Sequence, residues 1–112
     1  MNLLSSWVDC INNTMLDDLI NLYDNNSCLI STFEGIIQKD NKGIKTYFKN
    51  LIDNTTIDVI EYNSDIIDNK ISIEYGLYIF NTAEKKIRAR FTMISKDKHI
   101  IHHHSSIFKN EK

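Results

Sequence analysis

Residues 98–108, Lys98-His99-Ile100-Ile101-His102-His103-His104-Ser105-Ser106-Ile107-Phe108, close the chain's last strand-like segment and fix how everything before it is read. Their polar and apolar residues change with a short period, as in a strand whose successive side chains point to opposite faces. Three similar segments precede it: Ile57–Ile67, Lys70–Thr82 and Lys85–Ser95. Together they predict four strands, separated by Asp68-Asn69, Asn81–Glu84 and Lys96-Asp97. Asp68-Asn69 and Lys96-Asp97 are short enough for tight hairpins, so the second half of the chain reads as an antiparallel meander.

Upstream the period changes to that of a helix. Leu3, Leu4, Trp7, Val8 and Ile11 recur at three- and four-residue spacing. Thr14 followed by Asp17 predicts a capped start for a second helix carrying Met15, Leu16, Leu19, Ile20 and Tyr23. Asp24–Ser27 reads as a turn, Cys28–Phe33 as a short strand and Gly35–Lys42 as a loop. Gly43–Asp53, with Ile44, Tyr47, Phe48, Leu51 and Ile52, predicts a third helix. Helices first and strands after give an α+β domain, the helices covering one face of a curved sheet.

Length and charge bound the function. At 112 residues the chain is one domain. A net charge of −2 with scattered basic residues excludes the footprint of a nucleic-acid-binding protein. No uninterrupted apolar stretch is long enough to span a membrane, no basic leader opens the chain, and the sequence reads as cytoplasmic. Cys10 and Cys28 are too few for a disulfide scaffold and lack the CxxC spacing of a zinc site; they read as two buried thiols.

Several landmarks occur in a recognisable order: Trp7, Leu22-Tyr23, Thr32, Gly43-Ile44 before Tyr47-Phe48, Gly76-x-Tyr78-x-Phe80, Arg88-Ala89-Arg90-Phe91-Thr92 and His102–Ser106. In this the chain resembles the nuclear-transport-factor-2-like (SnoaL-like) proteins, in the branch shared by the calcium/calmodulin-dependent kinase II association domain. The HHHSS ending is similar to that of iota-class carbonic anhydrases. The resemblance implies a cone-shaped curved antiparallel sheet capped by N-terminal helices, a single conical pocket and assembly as a homodimer or larger ring. It further implies reversible hydration of carbon dioxide to bicarbonate. The catalytic groups it carries over are Thr32, Tyr47, His104 and Ser106. The chain departs from the pattern in lacking a Trp just before the histidines and a Pro after them, and its loop between Thr32 and Tyr47 is short.

Strict alternation divides the histidine run, with His102, His104 and Ser106 on one face and His103 and Ser105 on the other. All three histidines therefore cannot meet on one metal ion without a bulge. His102 and His104, about 6–7 Å apart along the strand, are at most two ligands, and no carboxylate or Cys is placed to complete a set. A metal-free site is favoured, with zinc or manganese left open. The substrate-binding set is Thr32, Tyr47, Arg90, His102 and Ser106: hydroxyls to hold water and bicarbonate, and Arg90 to meet an anion or to pair with Glu74. His104 is read as the proton relay. Two alternatives stand beside the enzyme: a non-catalytic oligomerising or small-ligand-binding module of the same fold, and an isomerase or hydrolase using Glu34 or Glu74.

Overall fold

The computed structural model describes residues 2–33 and 37–108. Among these residues the element order is α1 (Leu3–Asn12), α2 (Leu16–Asn21), β1 (Tyr23–Ile30), β2 (Ile37–Gln38), α3 (Asn41–Leu51), β3 (Thr56–Ile66), β4 (Ile71–Asn81), β5 (Lys86–Lys96) and β6 (His99–Ile107). The strands make one six-stranded sheet in the order β2-β1-β6-β5-β4-β3. From β3 to β6 it is the antiparallel meander that the period of two predicts. β1 then returns beside β6 in parallel, so the sheet is mixed rather than wholly antiparallel.

The helices sit on one face because their apolar stripes are buried there: Leu4, Trp7, Cys10 and Ile11 from α1, Leu19 and Ile20 from α2, and Ile44, Tyr47 and Phe48 from α3. They meet Ile57, Tyr78, Phe80, Ala89, Phe91, Met93 and Ile100 of the sheet. Polar side chains fix the helices in place. The buried Glu74 carboxylate accepts hydrogen bonds from the N–H groups of Leu3 (3.3 Å) and Leu4 (2.9 Å), and Asn2 accepts from Ser5 N–H (2.7 Å). At the other end of α1, Asn12 acts as a short strand: its Oδ1 accepts from Ile57 N–H (2.7 Å) and its Nδ2 donates to Ile57 C=O (3.1 Å).

Three local expectations are corrected. Thr14 does not cap α2; it takes a φ of 56° in the connection, and α2 starts after Met15 without a side-chain cap. Tyr23 is not the end of a helix but the first residue of β1. The polar stretch Asp24–Ser27 is not a turn but an irregular part of that strand. Tyr23 lies opposite Ile100 and Cys28 opposite His102, so five steps along β1 match two along β6. The sheet absorbs the polar residues because Asp24, Asn25 and Asn26 face solvent. Cys10 is buried but Cys28 only half-buried, and both are free thiols.

Two irregularities shape the sheet. β3 carries an extra residue at Ile60, between Val59 opposite Tyr78 and Glu61 opposite Leu77, next to the pairing of Tyr62 with Gly76. A Cβ at Gly76 would lie 2.0 Å from the Glu61 carbonyl oxygen, so the close approach admits no side chain. The second bulge is in β6. Ile94 pairs with His102 but Ser95 pairs with Ile100, leaving Ile101 as the extra residue. This bulge decides which of the histidines faces the core.

Candidate functional site

The β5–β6 hairpin turns through Asp97 and Lys98, both at positive φ (52° and 70°), and delivers Ile100 to the helix-covered face. Strict alternation from Ile100 would send His102, His104 and Ser106 inward. The bulge at Ile101 inverts the phase, and the inward residues are instead His103 and Ser105, which are 1% and 3% exposed. His102, His104 and Ser106 lie half-buried on the opposite, outer face. The assignment of His104 and Ser106 to the interior is thereby corrected. His103 is a packed interior residue.

His103 is the centre of a chain of hydrogen bonds linking four elements. Trp7 Nε1 of α1 donates to Tyr23 Oη of β1 (3.0 Å), and Tyr23 Oη lies 2.7 Å from His103 Nδ1. His103 Nε2 lies 3.3 Å from Tyr78 Oη of β4, and the Tyr78 hydroxyl donates to Ser105 Oγ (2.8 Å). Thr32, which follows β1, closes the chain with a hydroxyl hydrogen bond to Ser105. Aromatic rings hold the same groups. Trp7 stacks on Tyr78 at 5.2 Å, Tyr78 stacks on Phe91 at 4.6 Å, and Trp7 meets the His103 ring edge-on at 5.4 Å.

Burial sets the protonation states. It drives the His103 imidazole down to about 3, helped by the flanking His102 and His104, so the ring is neutral at pH 7. Burial likewise pushes the Tyr23 and Tyr78 phenols up, against the lowering effect of the Trp7 hydrogen bond at Tyr23 and the Ser105 hydrogen bond at Tyr78. Both phenols stay protonated.

Thr32, Tyr47, Tyr78, His103 and Ser105 line a small cavity, walled by Trp7, Leu29, Phe48 and Phe80. The space open to the centre of a water molecule is about 10 Å³, room for about one water. A larger opening, about 560 Å³, is a cleft elsewhere, bordered by Leu3, Ser72, Glu74, Ser95 and Lys98. Its buried charge, Glu74, is already engaged by the start of α1. We place the site at the smaller cavity because the polar groups converge there.

Of the residues expected at the site, Thr32 and Tyr47 line the cavity. His102, His104, Ser106 and Arg90 do not. Arg90 is exposed on the outer face, pairs in the sheet with Leu77 and Ser106, and lies 5.0 Å over the Phe108 ring. Glu74 points to the helix side, so the expected Arg90–Glu74 pair is not formed. Glu34 lies outside the described residues. Sequence reading missed Tyr23, Tyr78, His103, Ser105 and Trp7 as site groups. The adjacent apolar pair Ile100-Ile101 was the available signal, since two neighbours of that kind in an alternating strand mark a bulge. Among the described residues no three His, Cys, Asp or Glu side chains are grouped to hold a metal ion. No described helix is long and apolar enough to cross a membrane.

No protein-family model and no curated protein matches the sequence. Solved structures do resemble this one. A protein of Xanthomonas campestris described as a calcium/calmodulin-dependent protein kinase II association domain superposes with a TM-score of 0.88 at 20% identity, covering 97% of this chain and 85% of that one. An NTF2-like protein of unknown function from Shewanella oneidensis gives 0.72 at 20% identity, over 93% of both chains. A ketosteroid isomerase-like protein of Erwinia carotovora gives 0.76 at 6% identity, over 96% of this chain and 92% of that one. At these identities the likeness is one of architecture, and the chain has the nuclear-transport-factor-2-like fold: a curved six-stranded sheet, not closed into a barrel, with helices on one face.

Proposed function

We propose that this chain is a small-ligand protein of the cone fold, that its ligand is of the size of carbon dioxide or bicarbonate, and that it hydrates carbon dioxide without a bound metal. The observation that carries the reading is the hydrogen-bonded cluster of the Thr32, Tyr78 and Ser105 hydroxyls with the His103 ring beside one water-sized cavity that Tyr47 also lines. In the reaction the oxygen of a held water adds to the carbon of carbon dioxide and a C=O π pair moves onto oxygen. One water proton leaves, giving bicarbonate. The one hydroxyl proton of the Ser105–Thr32 pair that their mutual hydrogen bond does not use stabilises the developing oxyanion. His103 does not take the proton, because its basicity is too low at neutral pH. The proton is accepted by bulk water at the Thr32 end of the cluster, where the side chain is only half-buried.

A second reading, a non-catalytic binding or oligomerising module, is favoured by the size of the cavity, which fits one water more readily than water and carbon dioxide together. On either reading we propose a homodimer or larger homo-oligomer. Its support is the outer sheet face, where Ile73, Leu77, Ile79 and Ile94 are only half covered and Tyr75 is exposed. Stopped-flow hydration of carbon dioxide, with and without chelator, tests the enzyme. A rate above buffer that survives chelation and drops at least tenfold in Ser105→Ala supports it. A wild-type rate equal to buffer, with saturable binding of ¹³C-bicarbonate, leaves the binding module. Sedimentation as a monomer at all concentrations would remove the assembly.

A further inference from the structure

The hydrogen bonds at the site have a direction, and that direction selects a class of ligand. This rests on the reading of the cavity as a ligand site. The chain starts at a group that can only donate, the indole N–H of Trp7, which gives its proton to Tyr23 Oη. Tyr23 is 2% exposed, and its own proton has one acceptor among the described residues, His103 Nδ1 at 2.7 Å. Nδ1 is therefore an acceptor. A neutral imidazole carries one ring proton, so it resides on Nε2 and points at Tyr78 Oη. Tyr78 passes the sense of the chain on by donating to Ser105 Oγ.

At the far end the Thr32 and Ser105 hydroxyls share a single hydrogen bond. One of their two protons makes that bond. The other, whichever hydroxyl bears it, has no acceptor among the described residues and adjoins the cavity both side chains line. We infer that Trp7, Tyr23 and His103 act as positioning residues that polarise the chain toward the cavity, so that Ser105 or Thr32 presents a hydroxyl proton and the site takes ligands through an accepting oxygen, as in a carboxylate or bicarbonate, and refuses donor-only ligands such as ammonium. With the opposite sense, Tyr23 would take two donors and keep a buried proton with no partner, which costs about 1–3 kcal/mol.

The test uses the full chain labelled with ¹⁵N-histidine. Long-range ¹H–¹⁵N correlation at pH 7 reads the tautomer of His103, and the expected pattern is protonated Nε2 with acceptor-type Nδ1. Sodium formate, an acceptor, and ammonium chloride, a donor, are then titrated at matched ionic strength. Formate is expected to move the His103, Ser105 and Thr32 resonances saturably and ammonium is not. Ser105→Ala should weaken the formate response about tenfold or more, since a hydrogen bond to a charged group contributes about 1.5–3 kcal/mol. Thr32→Val supplies a second variant at the less buried end should Ser105→Ala not fold.

A protonated Nδ1, a doubly protonated ring, ammonium binding in preference to formate, or no binding of either ion overturns the inference. The expected tautomer with formate binding but no hydration of carbon dioxide upholds it while removing the proposed reaction. Hydration with a protonated Nδ1 does the reverse.

Discussion

His103 and Tyr23, eighty residues apart in sequence, are joined by a buried 2.7 Å hydrogen bond between Nδ1 and Oη. The bond links the last strand to the first, and it exists because one extra residue, Ile101, turns His103 inward. The consequences can be measured one residue at a time.

The two neighbouring serines should behave differently. Ser105→Ala removes the acceptor for Tyr78 and a partner of Thr32, leaving a buried phenol proton unpaired, at an expected cost of about 1–3 kcal/mol. Ser106→Ala, on the half-buried outer face, should change stability by about 0.5 kcal/mol or less. Urea unfolding of both variants checks the parity of β6. Equal losses, or a larger loss at Ser106, would reverse it.

The low basicity of His103 makes stability depend on pH with a definite sign. Its folded value, about 3, lies below its unfolded value, about 6.5, so the unfolded chain binds the extra proton as pH falls. The contribution is fully present above about pH 6.5 and is lost downward toward pH 3, with a limiting slope of about 1.4 kcal/mol per pH unit. In His103→Gln, the fall in unfolding free energy between pH 6.5 and 4.5 should be shallower by about one proton. An unchanged slope would show that the ring titrates normally.

At Gly76 the cause is steric. A methyl group would meet the Glu61 carbonyl oxygen at 2.0 Å, backbone that cannot swing aside. Gly76→Ala should cost more than about 2 kcal/mol, a loss characteristic of a broken special backbone position. Hydrogen exchange should quicken in β3 before β5, because β3 is an edge strand held by β4.

Glu74 joins α1 to the sheet rather than serving chemistry. Glu74→Gln keeps one accepting oxygen and should cost about 1 kcal/mol, whereas Glu74→Ala leaves the Leu3 and Leu4 N–H groups without it and should cost about 2–3 kcal/mol. Thermal unfolding of the two variants gives the difference. If hydration activity is found, neither variant should abolish it while folded, because Glu74 does not line the small cavity.

Much of the architecture was legible because it rests on local periodicity. The four meander strands, their short connections, and helices over residues near 3–12 and 41–51 follow from patterns of two and 3.6. The turn read at Asp24–Ser27 fails because β1, flanked by β2 only at Leu29 and Ile30, holds the exposed Asp24, Asn25 and Asn26 as an irregular strand. Of the four groups that the family resemblance carried over, Thr32 and Tyr47 line the cavity, whereas His104 and Ser106 lie on the outer face. Alternation gives two sets but does not say which faces in, and a single bulge exchanges them.

What the sequence by itself determined is therefore the α+β order and the division of His102–Ser106 into two sets, since both follow from the geometry of one segment. Which set meets Trp7, Tyr23 and Tyr78 was decided by the tertiary structure alone. That choice depends on register between β5 and β6, and register is settled by what each face buries against the helices rather than by the residues of β6 themselves.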